Sequence, residues 1–135
     1  MNKILGKISK ITSHEGLSLV NIAVKSTTLG TVLLDTPKSC DYLRIGKNIT
    51  VAFKETEVAI ALLNVGEISL ANQIPSTILS IDEGKILTKI ELTCRDTNIT
   101  SIITTNSSKR LGLIDGLDVI ALIKANEISL IDEEG

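Results

Sequence analysis

The sequence predicts an all-β protein: two tandem OB-like five-stranded β-barrel modules, each with one short helical turn. Three observations carry that prediction: an aliphatic core with hardly any aromatics, a period-two alternation in short segments, and an internal repeat that brings the second half of the chain into line with the first. Hydrophobic residues make up 43% of the 135 residues and are mostly Ile, Leu and Val, with Phe53 and Tyr42 the only aromatics. Side chains branched at Cβ pack well on a pleated surface and are stiff in a helix, so this composition favours strands.

The repeat is read from several anchors. Lys54-Glu55-Thr56-Glu57-Val58 stands 70 positions before Lys124-Ala125-Asn126-Glu127-Ile128, and Leu43-Arg44-Ile45-Gly46 stands 70 before Leu113-Ile114-Asp115-Gly116. Ile8 and Ile11 match Ile78 and Ile81 at the same offset. Near Ser13-His14 the reading slips to 68, where Gly16 meets Gly84, as if the first copy carried two extra residues. At an offset of 69, Asp35 falls opposite Thr104.

The predicted strands of the first copy run over 3–11, 17–26, 29–35, 47–54 and 57–63, and those of the second over 74–81, 85–94, 98–104, 118–124 and 127–132. Val20, Ile22 and Val24 alternate with Asn21, Ala23 and Lys25. Ile86, Ile90, Leu92 and Cys94 alternate with Lys85, Lys89, Glu91 and Thr93, as a half-buried antiparallel strand requires. Turns are expected at Glu15-Gly16, Glu83-Gly84, Arg95-Asp96 and Gly116, where Gly and Asp tolerate unusual dihedrals. One short helix is expected per copy; in the second, Thr105 or Asn106 would cap Ser107–Leu111, with Gly112 closing it. Short strands with regular turn signals point to small closed barrels. The join lies between Asn64 and Ala71, dividing the chain into modules at 1–66 and 67–135, and it has no Pro- or Ser-rich linker. Tight packing of the two is therefore expected. A module of about 65 residues buries only roughly 60% of its unfolded surface, so oligomerisation is expected as well.

Composition also excludes function classes. No apolar run approaches the roughly 18 to 20 residues of a membrane span, and the start Met1-Asn2-Lys3-Ile4 has no signal-peptide core. Cys40 and Cys94 lack metal-ligand spacing, so free thiols in a reducing cytoplasm are expected. A net charge of −2 and two aromatics argue against nucleic-acid binding, which uses basic grooves and stacking platforms. The single histidine, His14, is expected at the surface and has no Ser or Cys motif beside it, so the chain reads as a non-enzyme.

Five segments, in order, resemble a known family. Ser69-Leu70-Ala71-Asn72-Gln73-Ile74 resembles the opening signature Ser-Ala-Arg-Asn-Gln-apolar of the molbindin (Mop, or TOBE) family. Ile103-Thr104-Thr105-Asn106-Ser107 and Leu111-Gly112-Leu113 are similar to its Ile-Thr-x-x-Ser and Leu-Gly-Leu elements. Asp115-Gly116-Leu117-Asp118-Val119 resembles its Gly-Asp-x-Val turn, and Ala121-Leu122-Ile123-Lys124-Ala125-Asn126-Glu127-Ile128 its Ala-x-Ile-Lys-Ala-Ser/Thr-x-Val. Together they run from Ser69 to Ile128, nearly the whole of the second copy. The first copy shows the pattern mainly through Lys54-Glu55-Thr56 and, with only Met1 before Asn2, lacks the opening signature. Two departures stand out: Ala71 where the family commonly has Arg, and Asn126 where it has Ser or Thr. The resemblance implies a tandem (di-Mop) protein that binds molybdate or tungstate in the cytoplasm, without a redox cofactor, at sites shared between neighbouring modules.

Molybdate is a tetrahedral dianion whose oxygens only accept hydrogen bonds, so its site needs convergent donors and a cation. Under the resemblance, Lys124 supplies the charge, with Ser69, Asn72, Thr104 and Ser107 as neutral donors. Ala71, Ala125 and Asn126 line the site, the last two through main-chain N–H groups, and Lys54 with Thr56 form its counterpart in the first copy. Ser69 and Asn72 have the alternative of being turn residues, and Thr104 and Ser107 of capping the short helix. Asp35 would repel a dianion in the first copy. The expected role is storage and homeostasis of the oxyanion by a homotrimer, or else a dimer. The alternative is a ligand-sensing module of a transcription regulator or transporter ATPase.

Overall fold

The computed structural model describes residues 1–133 and is mostly β. The first half supplies β1 (Asn2–His14), β2 (Leu17–Val24), β3 (Thr27–Leu33), β4 (Asn48–Phe53) and β5 (Ala59–Leu62). The second supplies β6 (Asn72–Glu83), β7 (Leu87–Cys94), β8 (Thr97–Thr104), helix α1 (Thr105–Leu111), β9 (Asp118–Ile123) and β10 (Ser129–Ile131). A 3-10 turn follows β4 at Glu55–Glu57 and another follows β9 at Ala125–Glu127.

The ten strands form two five-stranded sheets, ordered β10-β4-β1-β2-β3 and β5-β9-β6-β7-β8. Each half thus builds four strands of one sheet and lends its fifth to the other. β10 joins β4 with Ser129 opposite Ala52, and β5 joins β9 with Ala59 opposite Leu122. The boundary expected between residues 66 and 67 falls between β5 and β6, but the sheets do not respect it. Alternation within a strand says which side chains point inward; it carries no information on which sheet edge the strand joins.

The register of the ladders fixes the repeat at a constant offset of 70. Ser13 pairs with Ser18 and Glu83 with Thr88; Leu29 pairs with Ile22 and Ile99 with Leu92. The expected slip to 68 is therefore absent. It came from matching two glycines that do different jobs. Gly16 follows Glu15 in a two-residue turn with φ of 51° and 83°, the positive-φ pair a tight hairpin needs. Gly84 instead donates its N–H to the Leu87 carbonyl, in a place where a Cβ would collide with that oxygen. The same constant offset sets Leu34, not Asp35, in the place of Thr104, so the expected acidic intrusion there does not occur.

β1 and β6 are long enough to serve two partners. β1 pairs with β4 over Asn2–Lys7 and with β2 over Lys7–His14, and a bulge between Ile8 and Lys10 bends it where the partners change. β6 has the equivalent bulge between Ile78 and Ser80. The inward side chains, among them Ile8, Ile22, Phe53, Ile78, Leu92 and Ile123, join one continuous core shared by both halves.

The expected helix of the second copy is present but begins earlier, with Thr104 rather than Thr105 or Asn106 as its cap. The Thr104 hydroxyl accepts the Ser107 N–H at 3.2 Å, and Gly112 ends the helix in the left-handed conformation. The first copy has no α-helix in that place. Pro37 follows Thr36 and disfavours helical dihedrals there, so the chain makes only a turn, with the Thr36 carbonyl accepting from Ser39 and Cys40.

Candidate functional site

At one end of the molecule β4 and β9 run out into exposed lysines. Lys54 (φ −74°, ψ 148°) and Lys124 (φ −71°, ψ 141°) are extended residues, each followed by a 3-10 turn. Their carbonyls accept the N–H of Glu57 and Glu127, both at 3.0 Å. In the first copy the Glu55 carboxylate takes its own N–H and leaves that of Thr56, whereas in the second the N–H groups of Ala125 and Asn126 both have no hydrogen-bond partner among the described residues. Two unused backbone donors beside a lysine is what an acceptor-only anion requires.

The strand exchange sets these two turns side by side. Because β10 runs along β4, a shallow cleft lined by Lys54, Glu57, Asn126, Glu127 and Ser129 mixes residues of both halves. Ala71 lies beside Lys124, since Asn72 pairs with Ile123, and exposed Ser69 is two residues further back. Of the residues singled out in sequence, the structure therefore gathers Ser69, Ala71, Lys124, Ala125, Asn126, Lys54 and Thr56 at one end of the fold.

The two turns differ in charge. Glu55 stands where the second copy has Ala125. Its carboxylate takes the Met1 ammonium at 2.6 Å, and that hydrogen bond holds its pKa below the usual carboxylate value. The Lys124 turn has no carboxylate at that place. The substitution was visible in the repeat, but its pairing with the N-terminus was not.

Thr104 and Ser107 do not join the group within one chain. Thr104 pairs with Leu87, near the C-terminal end of β6, whereas Lys124 lies beyond its N-terminal end. They engage each other instead, with Thr104 Oγ1 donating to Ser107 Oγ at 2.8 Å, and Arg110 Nη2 also donates to Ser107 Oγ, at 3.3 Å.

Asn72 is placed differently from a ligand. It is 3% exposed, and its amide clamps the backbone of β3. Asn72 Oδ1 accepts the Gly30 N–H at 2.7 Å while Nδ2 donates to the Gly30 carbonyl at 2.9 Å. Asn2 does the same to Thr100, at 2.8 and 2.9 Å. The first copy thus keeps the buried asparagine of the opening signature, which is a correction to its expected lack of that signature. A second pair of clamps was missed altogether. Thr31 Oγ1 donates to the Ile128 carbonyl at 2.7 Å, and Ser101 Oγ to the Val58 carbonyl at 2.6 Å. Each joins a sheet edge to the stretch leading into the strand lent by the other half. In both pairs of clamps the two members are equivalent positions of the repeat, and that equivalence was the signal available.

Among the described residues no three His, Cys, Asp or Glu side chains gather as a metal-holding group, and no helix is long and apolar enough to cross a membrane.

The family model described as TOBE domain matches residues 68–130. No curated protein sequence matches the chain. Among solved structures, the fold superimposes with a TM-score of 0.89 on the cytoplasmic molybdate-binding protein ModG, crystallised with molybdate bound. The two are 26% identical, over 96% of this chain and 94% of that one. Residues 68–130 thus match a TOBE domain, and the chain as a whole shares the fold of a molybdate-binding protein.

Proposed function

We propose that this protein binds molybdate, and tungstate as its isostere, and serves as a cytoplasmic store of the oxyanion rather than as an enzyme. The observation that carries the reading is the likeness to molybdate-bound ModG along nearly the whole of both chains. The exposed Lys124, with the unused N–H groups of Ala125 and Asn126, supplies donors of the right kind. Each half with its borrowed strand is read as an OB-like module, the two dividing in sequence at residues 66 and 67. The site is completed between chains, where Thr104 and Ser107 of one subunit approach the lysine turn of another. That arrangement calls for a homo-oligomer, with a trimer preferred over a dimer. No nucleic acid, membrane or redox cofactor takes part.

Calorimetric titration with molybdate, tungstate and sulfate tests the reading. Molybdate and tungstate are expected to bind more tightly than sulfate, because the charges match and only the cavity size discriminates. If none of the three gives heat at about millimolar concentration, where binding free energy is near −4 kcal/mol, the storage role fails.

A further inference from the structure

A second site lies away from the lysine turns, between the β2–β3 and β7–β8 hairpins. A cavity of about 150 Å³ opens there, and most of its walls come in pairs related by the internal repeat: Ile4 with Ile74, Leu29 with Ile99, Lys25 with Arg95 and Thr27 with Thr97. The cavity therefore sits on the internal two-fold axis that relates the halves. Its floor is apolar, with Ile4, Leu29, Ile74 and Ile99 each at most 8% exposed. Its mouth is cationic and hydroxylic, and no carboxylate lines it. Lys25 and Arg95 are held there by left-handed turn conformations, with φ of 51° and 59°. Lys25 Nζ uses one donor on the Asp96 carbonyl at 2.9 Å. The Arg95 guanidinium and the hydroxyls of Thr27 and Thr97 have no hydrogen-bond partner among the described residues.

We infer that this dyad cavity binds a small organic carboxylate, its apolar body on the isoleucine floor and its head group between Lys25 and Arg95. An inorganic dianion does not suit the place. One side of it would lose hydration against four aliphatic side chains that return no hydrogen bond. An apolar body instead gains by leaving water, and a dry cavity of about 150 Å³ is known to accept a benzene-sized molecule. The cationic mouth then selects an anion over its neutral analogue through charge-assisted hydrogen bonds. Because the cavity straddles the axis, each chain holds one such ligand, whereas the lysine turns come in twos.

Benzoate is the probe, and benzamide its neutral control. With the full chain carrying labelled methyl groups, benzoate is expected to shift the resonances of Ile4, Leu29, Ile74 and Ile99 and to saturate at one per chain. Benzamide should bind at least about tenfold more weakly, a difference of about 1.4 kcal/mol. The double variant K25Q/R95Q changes only exposed side chains; it should lose benzoate binding by about tenfold or more and leave a molybdate titration unchanged. Absent shifts at those methyls, equal affinity for benzamide, or undiminished benzoate binding by the double variant would each overturn the proposal. So would displacement of benzoate by molybdate, which would place the carboxylate in the lysine-turn site.

Discussion

Replacing Asn72 with alanine separates a clamp from a ligand, since the structure gives this side chain two strong bonds to the chain's own backbone. The variant removes the 2.7 and 2.9 Å bonds to Gly30 and strands one N–H and one carbonyl of β3. Each lost bond costs about 0.5–1.5 kcal/mol net, and each stranded buried partner about 1–3 kcal/mol in addition. Gly30 is half-buried, so water recovers part of the second contribution. A loss of about 2–4 kcal/mol follows, a large share of the roughly 5–15 kcal/mol that holds a domain folded. Urea unfolding followed by far-UV circular dichroism should show the midpoint falling with little change in slope. Asn2→Ala is the internal control, because its bonds to Thr100 are equivalent, and it should fall by a similar amount. Molybdate affinity, measured below the transition, should change little in either variant. The clamp is refuted if Asn72→Ala costs under about 0.5 kcal/mol while molybdate binding drops tenfold or more, for then the amide serves the anion and not the strand.

Three further outcomes are expected. Lys124→Ala should weaken molybdate binding by about one to two decades, the loss of one charge-assisted hydrogen bond, and more than Lys54→Ala, whose turn already carries Glu55; equal losses in calorimetry would mean two equivalent sites. Thr31→Val keeps the shape of a fully buried side chain but strands the Ile128 carbonyl, so it should cost about 1–3 kcal/mol, and protection of β10 amides from hydrogen exchange should fall; unchanged protection would count against the clamp. Burial, with the neighbouring Cys40 and acidic side chains, raises the Tyr42 pKa to about 12, above its ordinary 10, so the unfolded chain releases this proton first. Stability from this group is then full below pH 10 and declines as pH rises toward about 12, and Tyr42→Phe should remove that decline in pH-dependent unfolding.

Much of the fold was legible because a strand writes its buried face into every second residue. The segments containing Val20, Ile22 and Val24, or Ile90 and Leu92, declare themselves in this way. What stayed hidden depends on contacts between distant residues. Asn2 reads as an ordinary N-terminal residue until its amide is seen 98 positions away on Thr100. The aligned glycines misled because Gly16 is there for its dihedral angles and Gly84 for want of a side chain, and a one-letter match does not tell the two apart. At the candidate site the lysines were found from their repeat. The exchange of Ala125 for Glu55 between their turns was readable as well, but the Met1 ammonium that pairs with Glu55 was not.

The exchange of β5 and β10 also constrains how the protein comes into being. A chain emerging from the ribosome, at about 5–20 residues per second, presents β1 to β4 long before their last partner exists. The first sheet cannot be completed until residues 129–131 arrive at the free edge of β4. Meanwhile β5 waits for β9, leaving two strand edges open to any neighbour with a matching strand. In a crowded polysome the nearest matching strand belongs to the next nascent copy of this same chain. Interlocked dimers formed by that route, separable only by unfolding, are the characteristic assembly error this topology invites.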